Sequence, residues 1–148
     1  MGLHIFIRGI PTAKQSARFG TGKSKSGKSF IRSYQPKKIS DHKNSLKSQI
    51  LQQLPSDWEP YEKWVKVISC KFVFPYLKSL SKKKREAMEH GWVHKYKTTK
   101  PDLDNLEKML WDAMEGIVFI NDSLICEKHN VIKTYGDTPG YSIILEGE

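Results

Sequence analysis

The run Lys100-Pro101-Asp102-Leu103-Asp104-Asn105-Leu106-Glu107-Lys108 brings carboxylates, a carboxamide and ammonium groups together in a short stretch of chain. It lies where an extended segment is expected to enter a helix, so the backbone changes geometry between Asp102 and Asp104 and lets both carboxylates converge on one side. Mg²⁺ prefers carboxylate oxygens, keeps several waters and commonly takes one or two protein carboxylates together with substrate phosphate. Asp104 and Lys108 are one helical turn apart and share a face opposite Leu106 and Leu110, which sets an ammonium beside the expected metal. The same residues have an ordinary structural explanation as well: Asp102 as an N-cap, Asp104 as a partner of the helix dipole and Lys108 as its i,i+4 partner. After the helix, Ile120-Asn121-Asp122-Ser123 supplies a third carboxylate able to complete the site, in a setting where an aspartate is also a common turn residue.

Charge is distributed unevenly. The net charge is +9, but residues 1–100 carry 22 Lys and Arg against 6 Asp and Glu, or +16, whereas residues 101–148 carry 3 against 10, or −7. A basic surface attracts phosphate polymers by counterion release. Carboxylates beside such a polymer repel it unless divalent cations intervene, an arrangement that suits a nuclease. The expected DNA contacts, mostly to phosphate, are Lys14, Arg18, Lys23, Lys25, Lys28, Arg32, the cluster Lys82, Lys83, Lys84 and Arg85, and Lys100. A solvated helix face is the alternative for the Lys82–Arg85 run.

The elements that must hold these groups follow from periodicity. His4–Ile10 reads as a strand. Residues 12–38, rich in Gly, Ser, Lys and Arg, read as a long mobile basic loop with a short strand near Phe30–Tyr34. Ser40 is a good N-cap for a helix carrying Leu46, Ile50, Leu51 and Leu54 and stopped by Pro55. Trp64–Phe74 alternates as a central strand ended by Pro75. Ser79–Glu89 reads as a capped helix, and Leu103–Glu115 as a second amphipathic helix ending at Gly116. Ile125–Thr134 and Tyr141–Glu146 are expected to be two closing antiparallel strands joined through Gly136, Asp137, Pro139 and Gly140. With 148 residues, one α+β domain with helices packed on a mixed sheet is expected across 1–148, with the chemistry in 98–146.

Other signals are weaker. Gly22–Ser29 matches a phosphate-loop pattern, but no buried strand leads into it and no helix follows, so no nucleotide cofactor is expected. His90 and His94 are separated by Gly91 and have no cysteine nearby to complete a zinc site. Cys70 and Cys126 sit in apolar, strand-like segments and are expected to be buried reduced thiols. No apolar run approaches the roughly 20 residues of a spanning helix and the opening residues lack secretory features, so a cytoplasmic protein without a membrane partner is expected.

Taken together, the D-x-D-N-x-x-K run, the helix ending near Gly116 and the N-D-S after it resemble the C-terminal half of the RusA family of Holliday junction resolvases. The opening Gly9-Ile-Pro11-Thr-Ala-Lys14-Gln-Ser-Ala-Arg18 is similar more loosely. The resemblance implies a homodimeric endonuclease of DNA recombination and repair that uses Mg²⁺, with Mn²⁺ as substitute, to nick opposed strands of a four-way junction and leave 5′-phosphate ends. It assigns Asp102, Asp104 and Asp122 to the metal and sets Asn105 and Lys108 in the functional run. Residues 20–29 and 78–97 look longer than a compact member needs, and Pro101 stands where a basic residue would serve. A non-catalytic binding module for branched or single-stranded nucleic acid, holding strands by charge and by Phe19, Phe30 and Tyr34, is the alternative.

Overall fold

The computed structural model describes residues 2–14, 18–34 and 36–148. Among them the chain forms β1 (Gly2–Arg8), β2 (Arg18–Lys23), β3 (Ser29–Tyr34), α1 (Lys37–Gln53), β4 (Val65–Pro75), α2 (Lys82–Glu89), α3 (Leu103–Met114), β5 (Ile125–Lys128), β6 (Val131–Gly136) and β7 (Gly140–Gly147). The α+β architecture expected from the sequence is present.

β4 organises the main sheet. One edge pairs antiparallel with β7, and β7 pairs in turn with β1. The other edge pairs in parallel first with β5 and then with β6. Its alternation follows the two faces: Val65, Val67, Cys70, Phe72 and Phe74 are buried in the core with Leu46 and Ile50 of α1 and Leu106, Leu110 and Met114 of α3. Burying each of these large side chains is worth roughly 1.5–3 kcal/mol, so this face holds α1 and α3 on the sheet. On the opposite face, Lys71, Val73 and Ile132 line a cavity of about 570 Å³ with Met88 of α2 and with Val93 and Tyr96.

The structure departs from the sequence expectations at five points. The expected strand near Phe30–Tyr34 is β3, but it pairs antiparallel with β2, so much of the basic segment is a hairpin arm rather than a loop. α1 starts three residues before Ser40: Pro36 is its cap residue and accepts from Ile39 and Ser40 N–H groups. Proline has a preset φ and serves a helix start well, and the earlier start buries Ile39.

Ile125–Thr134 is not one strand. The chain breaks at Asn130, where φ is 48°, and β5 and β6 each pair with a different part of β4. Nor do β6 and β7 form a hairpin, because β4 lies between them. Val73 faces Thr134 on one side and Gly140 on the other, and the 136–140 turn passes the end of β4 at Pro75. A strand with apolar residues this continuous gains most by being paired on both edges. Finally, Cys70 is buried but Cys126 is exposed; both are free thiols.

The outer edge of β1 is closed by α1. Gln49 accepts from the Arg8 N–H at 2.9 Å and donates to the Arg8 carbonyl at 3.1 Å. Gln53 makes the matching pair with Phe6. Two side-chain amides thus occupy backbone groups that an unpaired edge would offer to another chain.

Candidate active site

α3 carries most of the expected chemistry. Its buried residues are Leu106, Met109, Leu110, Trp111, Ala113 and Met114; Asp104, Lys108 and Asp112, spaced by four, stay outside that set, with buried Trp111 one turn from Lys108 beside them. Asp102 is the N-cap residue, with φ −69° and ψ 143°, yet its carboxylate makes no cap hydrogen bond; only its carbonyl is used, accepting from the Leu106 N–H at 3.1 Å. Its carboxylate oxygens are therefore not committed to holding the helix start. Asp104 is 69% exposed and its nearest cation is Lys108, at 3.8 Å. Such an exposed i,i+4 pair is worth about 0.2–0.5 kcal/mol, small enough for either partner to be drawn to a ligand.

The approach to this helix is fixed from two sides. Lys133 of β6 donates from Nζ to the carbonyls of Thr99 and Pro101 at 2.7 and 2.9 Å, directly before Asp102. β6 also accepts from Lys97 through the Lys133 carbonyl and donates through Tyr135 to Lys95. On the other side, the Lys14 N–H donates to the Asn105 carbonyl at 3.0 Å, while the Lys14 ammonium reaches Asp112 at 2.5 Å. Glu107 is only 12% exposed and pairs with Lys128 at 2.9 Å, tying the helix to β5.

Asp122 lies beyond the other end of α3. There the helix stops at Glu115 and Gly116, with φ +79° at Gly116, a conformation glycine adopts without a Cβ penalty. The chain then turns through Val118 and Phe119 into a short 3-10 turn, Asp122–Leu124. Asn121 caps it, its carboxamide oxygen accepting from the Ser123 N–H at 2.9 Å. Glu115 accepts from the Asp122 N–H at 3.0 Å. The 12 residues of α3 span about 18 Å, so Asp102 and Asp104 are at one end of the rod and Asp122 is held at the other. Among the described residues, no three His, Cys, Asp or Glu side chains of the chain come together as a group able to hold a metal.

The expected DNA contacts fall in separate places. Lys23 opposes Ser29 at the end of the hairpin arm, Lys25 and Lys28 belong to its turn, and Arg32 opposes Gly20. Arg18 begins β2. The Gly22–Ser29 segment is thus a hairpin tip and not a strand-to-helix phosphate loop. Lys82, Lys83 and Lys84 are exposed at the start of α2, whose cap Ser81 accepts from the Lys84 N–H at 3.2 Å. Arg85 has structural partners: it pairs with Glu89 and Asp137 and lies 4.7 Å from the Tyr76 ring centre. Lys100 is exposed beside the Asp102 end of α3.

Residues 9–146 match the RusA endodeoxyribonuclease family. The chain belongs to that family. A further relative is the uncharacterized protein YqaN of Bacillus subtilis (strain 168), 36% identical over 67 residues. The match covers 45% of each chain, so the present chain spans less than half of that relative's length. RusA is a family of endodeoxyribonucleases.

Three residues that contact the candidate site are not singled out by the sequence: Asp112, Glu115 and Lys133. Asp112 continues a spacing visible in the sequence, that of Asp104 and Lys108, whereas Glu115 reaches Asp122 only because the chain turns at Gly116, and Lys133 reaches the Thr99 and Pro101 carbonyls only through the tertiary fold.

Proposed function

We propose that the chain is a Mg²⁺-dependent, structure-selective endodeoxyribonuclease that resolves four-way DNA junctions by paired nicks, as a homodimer whose metal sites are shared between two chains. The observation that carries this reading is the division of the three aspartates between the two ends of α3 in a member of an endodeoxyribonuclease family. Two hard oxygen donors with no cap hydrogen bond to give up, Asp102 and Asp104, suit Mg²⁺ or Mn²⁺. A third carboxylate from the same chain is a helix length away. In a two-fold dimer the same surface of each chain meets its copy, so Asp122 of a second chain is available to complete the set.

Mg²⁺ bound there supplies Lewis acidity toward a phosphate oxygen and the attacking water. The chain's own groups do the rest. Asp102 and Asp104 hold the cation at the entrance to α3, and Asn105 sits beside them in the run. Lys108, exposed in the free chain, places an ammonium where negative charge develops on the phosphate or on the leaving oxygen, and it stabilises that charge more strongly once bound DNA excludes water from it. The hairpin cations, Lys100 and the Lys82–Lys84 group neutralise the DNA arms. A four-way junction is itself nearly two-fold symmetric, so two equivalent sites give paired cuts.

The test is subunit mixing on a labelled synthetic four-way junction. Asp104→Asn and Asp122→Asn proteins are each expected to be inactive in Mg²⁺, and their mixture to regain single nicks, because a mixed dimer contains one intact shared site. If each site is built from one chain, the mixture stays inactive. Retardation of the junction without any cutting by the parent protein, in Mg²⁺ or in EDTA, would replace the nuclease with a binding module.

A further inference from the structure

The β2–β3 arm exposes apolar side chains that the core does not use. Phe19 and Ile31 are each 74% exposed, Tyr34 is 47% and Phe30 is 43% exposed. A soluble chain rarely displays this much apolar surface on one small element without a ligand for it.

The register separates the arm into two faces. Residues opposite one another in an antiparallel pair point the same way, so Phe30, Arg32 and Tyr34 share one face with Gly22 and Gly20. The two rings lie over those glycines: a Cβ at Gly22 would stand 2.7 Å from Phe30 Cζ, and one at Gly20 would stand 3.3 Å from Tyr34 Cε1. At Gly22 a side chain would force the Phe30 ring away, and at Gly20 one would press the Tyr34 ring outward by a few tenths of an ångström. One face of each ring thereby packs against the partner strand's backbone, and the rest is left to solvent. Between the two rings stands Arg32.

Charge selects the occupant. From residue 11 to residue 40 the sequence has eight Lys and Arg and no Asp or Glu. The ligand must therefore offer flat apolar faces and carry dense negative charge, which describes nucleobases on a phosphate backbone. Stacked bases inside a duplex offer no free face, whereas bases at a branch point can be unstacked.

We propose that Phe30 and Tyr34 form a stacking platform for unpaired bases at the branch point of the DNA substrate, with Arg32 and the hairpin-tip lysines binding the adjoining phosphates. The proposal rests on the reading above that branched DNA is the substrate, and it names the part of that substrate the arm recognises.

The test measures anisotropy in EDTA, where no cutting occurs, with a labelled four-way junction and a linear duplex of equal length. Phe30→Leu/Tyr34→Leu is expected to weaken junction binding about tenfold or more, since each stacked base contributes substantially and independently of sequence. Duplex affinity and its salt dependence are expected to stay at the parental level, because every cation remains. Phe30→Tyr/Tyr34→Phe is expected to restore junction binding. In the parent protein, 5-iodouracil at the branch point is expected to photocrosslink to Phe30 or Tyr34, a readout that needs no substitution.

Equal junction affinity in parent and Leu variant, an equal loss on duplex, or crosslinks confined to other residues would overturn the platform. So would loss of binding to phosphatidylglycerol vesicles with junction binding intact, which would assign the rings to a membrane surface. Hairpin-dependent binding with no cleavage in Mg²⁺ would sink the nuclease reading and leave the platform standing; cleavage indifferent to the rings does the reverse.

Discussion

The carboxylate of Glu115 accepts the backbone N–H of Asp122 at 3.0 Å. It joins the last residue of the α3 end to the aspartate held beyond it, so the position of Asp122 is set by a side chain seven residues earlier. A hydrogen bond to a charged group is worth about 1.5–3 kcal/mol, and each 1.36 kcal/mol is tenfold in rate. Glu115→Ala is therefore expected to lower kcat for junction cutting about tenfold and to raise the Mg²⁺ concentration needed for half-maximal rate. Glu115→Gln keeps an acceptor oxygen and is expected to recover most of the rate. Magnesium titrations of both variants decide it: an Ala enzyme with the parental Mg²⁺ dependence, or a Gln enzyme no better than Ala, removes the positioning role.

At the opposite end of α3 the same task falls to Lys133, through its bonds to the Thr99 and Pro101 carbonyls. Lys133→Met keeps the length of the stem and deletes the donor. The expected result is a fall in kcat of about tenfold, by the same conversion of one charge-assisted bond to rate, with junction affinity in EDTA unchanged. A large drop in affinity with normal kcat would instead make Lys133 a phosphate contact.

How much of this could be read in the chain depends on what each residue acts upon. The apolar stripe of α3 and the alternation of Val65–Phe74 are local patterns, and both elements stand where periodicity puts them. The aspartates and Lys108 stand out in the sequence because their types and spacing are themselves the signal, and their role is the proposal made above. Strand pairing was not, because β6 and β7 adjoin in sequence yet each gains more by pairing with an edge of β4 than with the other. The hairpin arm was hidden for another reason. Gly20 and Gly22 lower strand propensity, and the rings that compensate come from the partner strand. The separation of Asp102 from Asp122 follows from a straight 12-residue helix between them, a length the sequence already contained but whose consequence needed the turn at Gly116 and the course of β5.

The N-terminal segment that carries Lys14 offers a test by pH. Tyr141 Oη accepts from the Thr12 N–H at 3.1 Å and lies 2.9 Å from His42 Nε2. With Thr12 already donating to that oxygen, the phenolic hydrogen is free to be donated to an unprotonated Nε2, which fits a neutral imidazole. Burial also lowers the His42 pKa from its ordinary value, because the charged form is the one that loses hydration. The unfolded chain then binds the proton more tightly than the folded one, and stability rises with pH wherever that holds. The His42 contribution is fully present above the unfolded value of about 6.5, and it is lost as pH falls from there toward the lowered folded value. Glu127 and Glu148, whose pKa values are lowered by their cationic and hydrogen-bonding partners, act below the ordinary carboxylate range and outside this window. Burial raises the Tyr141 and Cys70 values, so they act well above it. The urea midpoint of the parent protein is therefore expected to fall between pH 7.5 and 5.5, and that of His42→Gln, which retains a polar group but cannot titrate, to fall less. Parallel pH dependence in the two proteins would show that His42 does not carry the effect.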